Sequence, residues 1–206
     1  MTTAVLSTAY FPPISWLTVA LMADNVTIDI HEHYIKQTWR NRCKIITANG
    51  LMDLIIPIRH TGNNTPVKDI EIDYSTNWQR VHLHAIKSAY GNSPYFDYYY
   101  EYVDAMFRQQ PKYLINWNEI GIELIRYSLK LKLPYAYSEE YIETQHGAPD
   151  FRKLLVPGNQ DEIPKTPHYH QVFQERHGFQ KDLSVLDILF CEGPDAIPLI
   201  NGSARI

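Results

Sequence analysis

An excess of positive charge, cysteines in number and any long apolar run are all missing from this chain. Nineteen Lys and Arg stand against 23 Asp and Glu, a formal net charge of -4. No global basic field exists to hold a phosphate-rich polymer, and nucleic acid is not expected as a partner. Two cysteines, Cys43 and Cys191, lie far apart. They are too few for a disulfide framework and offer no close pair for a metal knuckle. No stretch approaches the ~18 uncharged apolar residues of a membrane span. The N-terminus has no basic region, and Pro12-Pro13 interrupts its apolar stretch, so it does not read as a signal peptide. The expected location is the cytoplasm. Gly-rich phosphate loops, His-Glu-x-x-His and the nucleophile elbow Gly-x-Ser-x-Gly are absent too, so no motif dictates a cofactor or a reaction.

What is present is an ordinary globular balance with an aromatic surplus. Hydrophobic residues at 45% and charged residues at 20% exclude disorder of the whole chain. Fifteen tyrosines supply large rings that still carry a hydroxyl, which suits cores, sugar-facing surfaces and a homodimer interface alike.

Ala4–Ser7 reads as a short buried strand, Ile14–Met22 as a helix, and Asn25–Ile30 as a half-buried strand alternating Val26, Ile28 and Ile30 with polar residues. Strand, helix and strand within about thirty residues make a βαβ unit. Cys43–Thr47 and Leu54–Ile58 flank Asn49-Gly50, which predicts a hairpin with a type I′ turn. Ile70–Tyr74 alternates as a further strand. Helices are expected from Trp78, with Asn77 as cap, over Tyr95–Arg108, and through Leu114, Trp117, Gly121, Leu124 and Ile125. Residues 138–167 carry four prolines and little periodicity and read as one long loop. Ser184 and Asp187 open a last short helix as a capping-box variant. The expectation is a single domain over 1–206 of α/β class, with a mixed sheet begun by the βαβ unit, extended by the hairpin and covered by about three helices.

Several stretches resemble the WbqC-like protein family. They are Tyr10-Phe-Pro-Pro-Ile-Ser-Trp16, Glu32-x-Tyr34-x-Lys36-Gln-Thr-Trp-Arg-Asn41-Arg42-Cys43, Leu54-Ile-Ile-Pro57, Trp78-x-x-x-His82, Ala89-Tyr90, Ser93-Pro-Tyr-Phe96, Tyr169-x-Gln171-x-Phe173 and Leu183-Ser184-x-Leu-Asp187. They follow the family's order along most of the chain. The resemblance implies a place in bacterial surface-polysaccharide, O-antigen-like biosynthesis. It implies a sugar intermediate, with a nucleotide sugar among the candidates, as the small-molecule substrate.

Several residues are candidates for that chemistry. Lys36, Arg40 and Arg42, with Asn41 among them, form a basic segment between two expected strands, suited to clamp a carboxylate or diphosphate; a solvated loop is the plainer account. His82 shares a helix face with Trp78 and Ile86, where a buried neutral imidazole can act as a base; a hydrogen-bonded core histidine explains it as well. Trp78 and Tyr90 belong to the same family motifs. Tyr169 and Gln171 alternate on an extended segment and can reach one ligand. His31 and His33 share a face only if they lie on a strand, with Glu32 pointing away and no third ligand, so no metal site is expected. Cys43 reads as a buried structural thiol. Tyr95–Tyr102 puts rings on every face of its helix, so some must be exposed or line a cleft.

Two functions follow. The leading one is an enzyme acting on a sugar intermediate, by acyl or aminoacyl transfer to an amino sugar; the alternative is a non-catalytic glycan- or protein-binding accessory protein. The enzyme reading gathers His82, Arg42 and Tyr169 around one pocket. The binding reading asks for an exposed aromatic patch.

Overall fold

A computed structural model describes residues 3–60, 62, 64–143, 150–159 and 165–203. In chain order the elements are β1 (Thr3–Leu6), α1 (Ile14–Met22), β2 (Asn25–Ile28), β3 (Arg42–Thr47), β4 (Gly50–Ile55), α2 (Trp78–Tyr90), α3 (Phe96–Phe107), α4 (Leu114–Ser128), β5 (Tyr135–Tyr137), α5 (Phe151–Leu154), α6 (Gln174–His177), α7 (Val185–Glu192) and α8 (Ala196–Ser203).

The α/β class and the βαβ start are as expected. β1 and β2 pair in parallel, Thr3 opposite Asn25 and Leu6 opposite Ile28, and β5 adds a third parallel strand beside β2. The crossover α1 buries Ile14 to Ala20 without a break, because a helix apolar all round is stable only inside the core. Its Thr18 hydroxyl returns to the Ile14 carbonyl at 2.9 Å, and its Ser15 hydroxyl donates to Asp182 at 2.9 Å, so neither is orphaned.

The hairpin β3–β4 forms, but as a two-stranded sheet of its own rather than an extension of the parallel one. Its turn differs too. Only Gly50 has positive φ, at 105°, while Asn49 does not; Thr47 Oγ1 accepts the Asn49 N–H at 3.2 Å. The register pairs Thr47 with Gly50, so the two loop residues are Ala48 and Asn49, and neither has the positive φ that type I′ needs at both central positions. Ile70–Tyr74 makes only isolated bridges, Ile58 with Ile72 and Glu71 with Tyr113. Asn77 occupies the first position before α2 without a side-chain cap bond, whereas Ser184 does cap α7, accepting from Leu186 N at 3.3 Å.

The core is aromatic where α2, α3 and α4 meet. Trp78 stands edge-on to Trp117 at 4.9 Å between centroids, and Phe107 packs edge-on to both. Burying each such side chain stabilises by roughly 1.5–3 kcal/mol. Gly121 lets α4 approach this group: a Cβ there would stand 3.4 Å from Met106 Cε and 3.7 Å from the Phe11 ring. Phe11 itself is held at φ 38°, uncommon for a bulky residue. Ser184 Oγ donates to its carbonyl at 2.9 Å, and neighbouring backbone bonds from Tyr10 to Trp39 and from Val185 to Pro12 fix the turn.

Candidate functional site

The carboxyl ends of the three parallel strands converge on one polar cluster. Ser7 follows β1, Asp29 follows β2, and Ser138 follows β5. In open α/β sheets ligands gather outside this edge, where strands stop and loops diverge. Asp29 is fully buried and organises it. Its Oδ1 accepts from Ser138 Oγ at 2.9 Å and from His31 N at 3.0 Å, and its Oδ2 pairs with Arg152 Nη1. Arg152 also holds Asp150 through Nε at 2.9 Å and Nη2 at 3.1 Å. A second buried pair lies alongside: Arg40 grips Glu32 through Nε at 3.0 Å and Nη2 at 2.5 Å, and donates to Ser7 at 2.9 Å and Thr38 at 3.0 Å.

These two pairs floor a cavity of about 550 Å³. His31, His33 and Lys153 add polar wall; Ile35 and Tyr141 add the apolar part. The Arg152 guanidinium lies over the Tyr141 ring, 5.1 Å from its centroid. Burial pushes the Glu32 carboxyl up from its ordinary range, with Arg40 pulling the other way. Burial also works against the charge on Arg152, but Asp150 and Asp29 more than offset it and hold the guanidinium protonated. The cavity thus presents fixed acceptors, fixed donors and two imidazoles, which can grip a hydroxyl-rich ligand and move protons. Among the described residues no group of three or more His, Cys, Asp and Glu is placed to hold a metal ion, and no helix is long and apolar enough to cross a membrane.

Residues 8–157 match the WbqC-like protein family, nearly three quarters of the chain. The chain belongs to that family. Every residue lining the cavity falls inside the matched stretch. An uncharacterised protein of Mycobacterium tuberculosis is 27% identical over 94 residues, 45% of this chain and 40% of that protein. The match therefore spans well under two thirds of the relative's length. No solved structure matches.

The structure scatters the substrate-binding and catalytic residues expected from sequence. His82 sits in the aromatic core: Tyr10 donates its hydroxyl to Nδ1 at 3.0 Å, and Trp78 stands edge-on at 5.1 Å. Burial pushes its pKa down to about 4, a backbone hydrogen bond with Ile55 opposing. It does not border the sheet-end cavity. Trp78 is its packing partner. Arg42 projects from the hairpin onto Asp53, 2.9 Å away, and Asn41 spends its amide on the Ile56 carbonyl at 2.8 Å. Lys36 is exposed on the turn that carries the cavity residue Ile35. None of His82, Arg42 and Tyr169 lines the sheet-end cavity. Cys43 is buried, and burial pushes its thiol well above the usual range.

Tyr169 and Gln171 do meet, over a residue assigned to capping. Asp187 accepts the Tyr169 hydroxyl at 2.6 Å, and Gln171 Nε2 donates to that same hydroxyl at 3.2 Å and to the Gln180 carbonyl at 2.8 Å. Tyr90 faces the carboxylate as well and raises its own pKa by doing so, after burial. Tyr90 Oη and Asp187 Oδ1 nonetheless have no partner at hydrogen-bond geometry. Burial pushes the Asp187 carboxyl up to about 6, with Tyr169 and Tyr90 opposing. The capping-box account thus holds for Ser184 and fails for Asp187, whose side chain turns inward. Sequence reading also missed Asp29 and Arg152. Asp29 looked like the polar half of an alternating strand, and Arg152 stands in no periodic segment. Glu32 was set pointing away from His31 and His33; residues 29–34 bend instead of extending, and all three line one cavity.

Proposed function

We propose that this chain is an enzyme acting on a sugar intermediate of bacterial surface-polysaccharide assembly, bound at the carboxyl end of the parallel sheet. The observation that carries the reading is the cavity floored by Glu32–Arg40 and Asp150–Arg152, with His31 and His33 in its wall. Carboxylates accept from sugar hydroxyls or an amino group, the guanidiniums hold those carboxylates in place, Lys153 can donate to ring or phosphate oxygens, and Tyr141 offers a face to the ring. Acyl or aminoacyl transfer to an amino sugar fits this equipment. The substrate nitrogen bonds to the acyl carbon, the bond from that carbon to its carrier breaks, and His31 takes the proton from nitrogen. Lys153, exposed and 3.4 Å from Asp150, can turn to the negative charge that develops on the acyl oxygen. Lys36, one residue along from Ile35, serves the anionic end of a nucleotide sugar.

The first experiment is a thermal-shift screen of wild type, Lys153→Ala and His31→Gln against nucleotide sugars with and without an amino group. A ligand that binds only the folded state raises the Tm by mass action. An amino-sugar nucleotide should stabilise wild type, lose most of that effect in Lys153→Ala, and bind His31→Gln without turnover. A screen in which no sugar derivative shifts the Tm would remove this reading. One observation favours the alternative of a non-catalytic accessory protein. The rings of Tyr98, Tyr102 and Tyr127 are exposed, so sugar binding without turnover in wild type would support that role.

A further inference from the structure

Tyrosines on α3 and at the end of α4 line a second groove, of about 690 Å³, made by neither the parallel sheet nor the hairpin. Tyr98 and Tyr102 stand one helical turn apart on the same face of α3, and Tyr127 meets Tyr102 edge-on at 5.5 Å between centroids. The three rings are 72%, 44% and 69% exposed. They do not close the core, which Val103, Met106 and Leu129 already seal beneath them. Rings of this size kept in water at one place mark a contact surface. Their hydroxyls and flat faces suit a ligand that offers C–H faces and hydroxyls together.

Charge narrows the ligand. The ionisable cations lining the groove are Arg126 and Lys130, and no Asp or Glu lines it. Arg126 spends Nη1 on Glu123, at 2.6 and 2.9 Å, and rests over the Tyr135 ring; Lys130 forms no ion pair among the described residues. At the base, Arg126 Nε and Ser128 Oγ are buried without a hydrogen-bond partner, which leaves polar capacity unspent. We propose that this groove binds an acidic oligosaccharide, its sugar rings stacked on Tyr98, Tyr102 and Tyr127 and its carboxylate held by Lys130 and Arg126. A second copy on the same face would set Arg126 and Lys130 against their own images. A nucleic acid would meet a chain of net charge -4 with no basic field around the groove. The site is independent of the sheet-end cavity and of the enzyme reading.

Calorimetric titration of the full chain with a galacturonic acid hexamer tests this, with a neutral glucose hexamer and a six-nucleotide uridine RNA for comparison. The galacturonate should bind wild type, more weakly as salt rises, and in preference to both others. Tyr98→Ala with Tyr127→Ala should weaken it roughly tenfold or more. Both positions are exposed, so the fold should survive, as a far-ultraviolet spectrum would check. Lys130→Gln should remove the preference over the neutral hexamer. Lys153→Ala, in the other cavity, should bind galacturonate as wild type does, which separates the two sites. The proposal fails if galacturonate does not bind, if the double variant binds it unchanged, or if RNA binds better with the same tyrosine dependence. It fails equally if sedimentation shows a dimer that Tyr98→Ala with Tyr127→Ala dissolves, for the face would then join two copies.

Discussion

His82→Gln replaces a buried titrating ring with a neutral side chain that can still accept from Tyr10. The native ring has its pKa pushed down to about 4, against 6.5 for a free imidazole. As pH falls, the unfolded chain takes up this proton near 6.5 and the folded chain only near 4. Between those values the unfolded state holds more protons, so the stability His82 contributes is complete above pH 6.5 and drains away toward pH 4. At about 1.4 kcal/mol per pH unit, wild type should lose roughly 3 kcal/mol that His82→Gln keeps. Asp187 works in the opposite direction over nearly the same window. Its carboxyl titrates near 3.8 when free and at about 6 when folded. Its contribution is complete below pH 3.8 and is lost as pH rises through 6, again by about 3 kcal/mol. Asp187→Asn, which can still accept from Tyr169, should therefore gain on wild type as pH rises. In wild type the two slopes nearly cancel. Urea unfolding of wild type and both variants at half-unit steps from pH 4 to 7.5 measures the differences directly. Replacing either side chain also changes packing, which shifts a curve without tilting it. Parallel curves for wild type and His82→Gln would refute the account of a neutral, buried His82; slopes of the same sign in the two variants would refute the account of Asp187.

Substitutions at two further positions test the packing. Gly193 holds φ 51°, and a Cβ there would stand 2.5 Å from Tyr95 Cδ1, so Gly193→Ala should cost roughly 3 kcal/mol through strain and overlap; an unchanged urea midpoint would contradict it. Glu32→Ala leaves the Arg40 guanidinium buried without its carboxylate and should cost roughly 3–5 kcal/mol. Glu32→Gln keeps the shape and one acceptor and should cost less, and equal losses in the two variants would show that charge pairing is not what Glu32 supplies.

Local pattern alone determined much of the fold. The bounds of α1 follow from Pro13 before an unbroken apolar run and match residue for residue; β2, α3 and α4 follow from periods of 2 and 3.6. The cap at Ser184 and the hairpin at Gly50 are likewise written in neighbouring residues. The family, too, was legible in short motifs spread along the chain. What escaped sequence reading depends on partners distant in the chain. β5 is three residues long after Pro134 and is a strand only because β2 supplies its hydrogen bonds. Asp29 and Arg152 have nothing in their own segments to announce the pair, and Asp187 turns from its cap because Tyr169 and Tyr90 arrive over it. His82 could be placed on an apolar face, but whether that face closed over it or opened to a cavity was left to Tyr10 and Trp78. Periodicity says which side of an element is dry. Only the docking of elements decides which polar groups are enclosed there, and a buried polar group takes its role from whatever partner encloses it.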